Sequence, residues 1–125
     1  MKAVLDAGAF VAIEKRDRKV GAMLRVLQQQ RVSLWTSAAV VAQVWRDGRK
    51  QAILAKTLAG VGVRALGEGD DKATGELLAL AHMDDVIDAH IALAVDDGDR
   101  VLTSDPDDIA RLLAVRRIDA TVTRT

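Results

Sequence analysis

Short apolar runs of strand length alternating with longer stretches of helical periodicity predict an α/β fold, a three-layer α/β/α arrangement around a mostly parallel sheet of about five strands. Two observations predict it. Runs such as Ala3-Val4-Leu5 and Val101-Leu102-Thr103 are apolar and short, as expected of strands covered on both faces. The segments between them place apolar residues three and four positions apart, as in Val20, Met23, Leu24 and Leu27.

Taken in order, Ala3-Val4-Leu5 is the first strand, and Gly8 permits a tight turn into a helix over about 9–16. A helix over about 18–30 leads to the strand Val32-Ser33-Leu34-Trp35. Thr36 or Ser37 caps the next helix, whose apolar stripe is Val40, Val41, Val44 and Trp45. Gly48 kinks or ends it before another helical stretch over about 50–59. Gly60 and Gly62 bracket a turn into a strand from Val63 to Leu66, and Gly69-Asp70-Asp71 starts a helix running to about His82. A helix over about 87–97 and the strand Val101-Leu102-Thr103 follow. Pro106 suits the first turn of the last helix, the neighbouring aspartates suit its positive end, and a strand over about 118–122 closes the pattern.

With 125 residues, half of them apolar, the chain is expected to form one domain spanning 1–125. The absence of cysteine excludes disulfides, thiolate metal sites and thiol nucleophiles. Three apolar residues between Lys2 and Asp6 are too few for the core of a signal peptide, and no apolar run approaches the roughly 18 residues of a membrane span. A soluble, cytoplasmic protein is therefore expected. The formal net charge of zero conceals a split: residues 1–64 hold 12 Lys and Arg against 4 Asp and Glu, and residues 65–125 hold 6 against 14. Such a division suits a basic surface for phosphates beside an acidic pocket for cations, or two ordinary solvated faces.

Ligands of open parallel sheets bind outside the carboxyl ends of the strands, where the turns into helices converge. Asp6 follows the first strand and Asp105 the fourth. Asp88 opens a helix whose inward stripe is Ile91, Ala92 and Val95, so its charge stands at the head of an apolar face, and Asp85 projects into the same region. Each also has a structural explanation: Asp105 or Asp88 as a helix cap, Asp6 as a turn over Gly8. A buried carboxylate without a partner costs several kcal/mol, so together the three call for a cation. Hard oxygen ligands without His or Cys suit Mg2+ or Mn2+, and a metal so held serves phosphodiester hydrolysis. A Walker-type phosphate loop is absent. A Ser-His-Asp triad is disfavoured because neither His82 nor His90 follows a strand end; His90, two residues past Asp88, is expected at the surface or against a partner.

In order, VLDAGAF, SAAVVAQVWR, DDVIDAHIALA and VLTSDPDDI resemble the sequence blocks of PIN-domain ribonucleases of the VapC type, over nearly the whole chain. In that family one acidic residue ends the first strand, a second lies on the helix after the second strand, a third opens a late helix and a fourth follows the next strand. Asp6, Asp88 and Asp105 match the first, third and fourth positions, with Asp85 or Asp108 in support. The chain departs at the second, where Gln43 replaces the usual Glu; its carbonyl oxygen accepts a hydrogen bond but brings no charge. Asp47, one helical turn on, either compensates in part or is a solvated surface residue, and Arg46 meets a phosphate or pairs locally.

The resemblance implies a PIN-like fold, a Mg2+-dependent endoribonuclease acting on structured RNA such as tRNA or rRNA, a homodimer, and a VapB-type antitoxin that lies across the toxin. Val20, Leu24, Leu27, Ile53, Leu54 and Leu58 either form a groove for that antitoxin or belong to the core. Arg16, Arg18, Lys19, Arg46, Arg49 and Lys50 are the expected phosphate contacts. Two other readings stand beside this one: a PIN fold with a degenerate site that only binds RNA or antitoxin, and a phosphoacceptor signalling domain. The latter lacks paired acids after the first strand and a Lys after the last.

Overall fold

Strand β1 (Lys2–Leu5) occupies the middle of a five-stranded sheet in a computed structural model that describes all 125 residues. On one side lie β2 (Ser33–Ser37) and, at the edge, β3 (Val61–Arg64); on the other lie β4 (Arg100–Thr103) and β5 (Thr121–Arg124). Every pairing is parallel, from Lys2 opposite Ser33 to Thr103 opposite Arg124. The chain moves outward from β1 through β2 to β3, then crosses back over the sheet to β4 on the far side of β1. That reversal opens a crevice at the carboxyl ends of β1 and β4, the place where such sheets bind ligands.

Right-handed crossovers put the helices of the outward and return paths on opposite faces. Helices α1 (Ala7–Glu14), α2 (Arg18–Gln29), α3 (Ala38–Val44) and α4 (Ala52–Leu58) cover one face, with α1 packed on α2, α3 and α4. Helices α5 (Asp70–Ala81), α6 (Val86–Leu93) and α7 (Pro106–Arg116) pack on one another over the other. The expected three-layer α/β/α architecture is therefore present, with the sheet entirely parallel. Phe10, Leu5, Leu54, Ile91, Ile109 and Leu112 are fully buried between the layers. Val20, Leu24 and Leu27, four and three residues apart on α2, belong to the same core.

Local chemistry sets the helix starts. Asp6, Asp17, Ser37 and Asp85 cap α1, α2, α3 and α6 by accepting the backbone N–H of Gly8, Val20, Ala39 and Asp88. Several boundaries differ from expectation. Strand β3 begins at Val61 because Gly62 is a strand residue: Trp35 lies across it, and a Cβ there would stand 2.6 Å from the indole. Helix α3 ends at Val44, where the Arg46 guanidinium bonds the carbonyls of Ala42 and Trp45. Trp45 thus falls outside the helical stripe and is partly exposed. Helix α6 stops at Leu93, and β5 lies at Thr121–Arg124.

Candidate metal centre

Asp6 is held at the crevice from both flanks. Its backbone N–H continues the ladder to the carbonyl of Leu102, and its carboxylate accepts Gly8 N–H at 2.8 Å, Ser104 N–H at 3.2 Å and the Thr103 hydroxyl. Thr103 Oγ1 in turn accepts the N–H of Asp105 at 2.9 Å, tying the two aspartates together. Gly8 is required by proximity: a Cβ there would lie 2.8 Å from Ser104 Cβ, so only glycine lets α1 press against the β4–α7 turn. Asp6 both caps a helix and faces the crevice. Burial pushes its carboxyl above the ordinary carboxylate range; the Thr103, Gly8 and Ser104 bonds oppose this and nearby Asp105 adds to it.

Asp88 descends on the crevice from α6. It is 5% exposed, and its Oδ2 is buried without any hydrogen-bond partner. Asp85, not Asp88, caps this helix, accepting Asp88 N–H at 2.9 Å, which leaves the Asp88 carboxylate free. Burial, reinforced by the charges of Asp85, Asp105, Asp6 and Asp108, pushes its carboxyl up to about 7. Asp105 holds the cap position of α7 but makes no capping bond with its side chain. Oxygen atoms of Asp6, Asp88 and Asp105 all lie within 4.8 Å of one another, and none of the three forms a salt bridge.

These residues, with Gln43, Asp85 and Ser104, line a cleft of about 90 Å³. At about 30 Å³ per water that volume suits one small cation with a few waters. The donor set is all oxygen, one buried oxygen lacks a partner, and no cation of the chain neutralises it; these features fit Mg2+ or Mn2+. Asp6, Asp88 and Asp105 would hold the ion, Asp85 borders it, and Asp108 acts on Asp88 through charge without lining the cleft.

Other expected residues fare differently. Asp47 does not stand in for the missing carboxylate: α3 has already ended, and Asp47 turns to Arg49, accepting its N–H at 3.0 Å. Of the expected phosphate contacts, Arg16 and Lys50 line one depression beside Gln51. Gln51 builds that loop, accepting the N–H groups of Arg46 and Asp47 and donating to the Val44 carbonyl. Lys19 instead borders an apolar groove of about 470 Å³ with Met23, Val26 and Arg100, while Arg18 and Arg49 are exposed. Val20, Leu24 and Leu54 are core residues, Leu58 packs against that core and Ile53 is exposed; of the six, Leu27 alone also lines the groove beside Lys19.

The surface placement of His90 is wrong. Its ring is fully buried, with Nδ1 at 2.5 Å from Ser37 Oγ and Nε2 at 2.9 Å from Asp70 Oδ2. Serine, histidine and aspartate do meet, but the Ser37 hydroxyl is wholly enclosed and caps α3, so no substrate reaches it. Thr103 and this buried cluster were not foreseen; the signals for them were a hydroxyl two residues before Asp105 and one polar residue inside the apolar run of α6.

No family model matches the sequence, and no curated protein matches it. Among solved structures, the fold is similar to that of a chain in the crystal structure of VapBC2 from Rickettsia felis bound to a DNA fragment from their promoter. The TM-score is 0.69, covering 100% of this chain and 99% of that one at 16% identity. Similarity at that identity establishes a common fold.

Proposed function

We propose that this protein is a Mg2+-dependent endoribonuclease, the toxin component of a VapBC-type pair, cutting phosphodiester bonds of structured RNA such as tRNA or rRNA. The observation that carries this reading is the buried, unpaired carboxylate of Asp88 beside Asp6 and Asp105, three acids whose arrangement is costly without a cation. A Mg2+ held by Asp6, Asp88 and Asp105 would supply an activated water and stabilise charge on the phosphodiester in transit. The net reaction would join a water oxygen to phosphorus, break one P–O ester bond and pass a proton of that water to the leaving oxygen.

The chain's own residues prepare that step. Three donors fix Asp6 before any ligand arrives, Asp88 gives up its proton when a cation enters, and the Gln43 carbonyl oxygen accepts a hydrogen bond from water in the cleft. Arg16 and Lys50 serve the RNA backbone from their shared depression, with Arg18, Lys19, Arg46 and Arg49 as outer contacts, so binding weakens steeply with salt. A VapB-type antitoxin segment takes the apolar groove beside Lys19, and the protein works as a cytoplasmic homodimer. Light scattering of the purified chain tests the dimer.

The central test is cleavage of tRNA and rRNA by the native chain and by Asp6→Asn and Asp88→Asn. Both substitutions should abolish cutting while leaving the thermal transition nearly intact; undiminished cutting in both overturns the proposal. Gln43 favours a second reading, a degenerate PIN fold that binds RNA or antitoxin without cutting. Calorimetry with millimolar Mg2+ separates the two, since absence of binding supports the degenerate form.

A further inference from the structure

Asp88 and Gln43 reach the cleft from different helices, α6 and α3. Nothing bonded to Asp88 Oδ2 holds it in place. Its position is therefore the position of α6, and whatever fixes that helix fixes Asp88.

His90 bonds that helix to its neighbours. Two residues along a helix turn the side chain about 200°, so His90 points away from the cleft. Its Nε2 meets Asp70 at the start of α5, and Asp70 is clasped by Arg64 of β3 through bonds of 2.6 and 3.0 Å. Its Nδ1 meets Ser37 Oγ, which also accepts Ala39 N–H at 3.0 Å and so caps α3. The Asp70 carboxylate accepts from Nε2–H and Nδ1 shares a bond with the Ser37 hydroxyl, so both ring nitrogens have partners. A packing role alone needs neither bond, because the helix neighbours of His90 three and four positions away, Val86, Ile87, Leu93 and Ala94, are all apolar.

We propose that His90 is a positioning residue for the metal centre, fixing α6 to the capped start of α3 so that Asp88 stays within ligating distance of Asp6 and Asp105. This inference rests on the metal-centre reading above. Outer contacts that orient metal ligands typically change metal affinity about 10- to 100-fold when removed.

The test is calorimetry with Mn2+ on the full chain at a temperature where each variant is folded, beside melting curves without metal. His90→Leu, which fills the space but bonds neither partner, should bind Mn2+ at least about tenfold more weakly. His90→Gln, whose amide still donates to Asp70, should recover part of that loss. A merely structural histidine would lower the melting temperature and leave the Mn2+ affinity of the folded protein unchanged, and that result overturns the inference. If His90→Leu does not fold, Ser37→Ala carries the test with Ser37→Thr as its conservative partner; equal Mn2+ affinity in the two overturns it. Failure of the native chain to bind Mn2+ removes the metal centre itself, whereas native binding with an unaffected His90→Leu removes the positioning role alone.

Discussion

Two aspartates of equal burial stand at opposite ends of the sheet and are treated in opposite ways. Asp99, 3% exposed, sits just before β4; its carboxylate accepts the N–H of Lys2 at 2.9 Å, the N–H of Asp96 at 2.8 Å and the Lys2 ammonium at 2.6 Å. Burial pushes its carboxyl up, but the Lys2 and Asp96 bonds outweigh this and hold it below the ordinary range. Asp88, 5% exposed, has an oxygen with no partner and is surrounded by like charge. Burial alone does not tell the two kinds of carboxylate apart; a cation of the chain does, present at Asp99 and absent at Asp6, Asp88 and Asp105.

Four expectations break or sharpen this contrast. The largest is catalytic: Asp88→Asn should lower RNA cleavage at least about 1000-fold while the metal-free melting temperature stays level or rises, since the substitution removes repulsion and no bond. Scanning calorimetry showing a large drop in stability would place Asp88 with Asp99 as a structural acid.

Next is the paired end. Lys2→Met strips Asp99 of its cation and should cost about 2 to 3 kcal/mol in urea unfolding, with little effect on cleavage. A neutral result would mean that the backbone donors alone suffice for Asp99.

Smaller is the response of the metal-free protein to pH. Asp88 keeps its proton to about pH 7 when folded and only to about pH 4 when unfolded, so across that window the folded chain binds more protons and stability falls as pH rises. Asp6 has the same sign. Asp99 has the opposite sign: its contribution is present above about pH 4 and is lost as pH falls through its lowered folded value. Melting curves between pH 4 and pH 8, as working limits of about that range, should decline with pH in the native chain and flatten in Asp88→Asn. The smallest effect is expected from Gln43→Glu, which adds a fifth carboxylate at the cleft: about tenfold tighter Mn2+ binding, and slightly lower stability without metal.

Much of the site was legible because its residues lie where local rules point. Asp6 and Asp105 follow strands whose apolar character is plain, and Asp88 heads the stripe of Ile91, Ala92 and Val95, all of which are buried. Of the two readings of Asp47 the compensating one fails, because it carried helical periodicity past Val44, where the Arg46 side chain satisfies the last carbonyls and the helix ends. His90 was misread because a polar residue within an apolar run reports nothing about partners contributed by α5 and β2, 20 and 53 positions away. Gly62 resembled a turn because its real neighbour, Trp35, is on another strand.

The order of residues by itself determined the α/β alternation, the acids at the ends of β1 and β4, and the lack of thiol chemistry, since these follow from spacing and composition along the chain. Tertiary structure decided that Asp88 meets Asp6 and Asp105 while Asp99 meets Lys2, and that His90 is enclosed. Spacing defines which way a side chain faces, but the partner it finds depends on how helices are laid across the sheet, and only that packing settles which charges are neutralised and which are left for a cation.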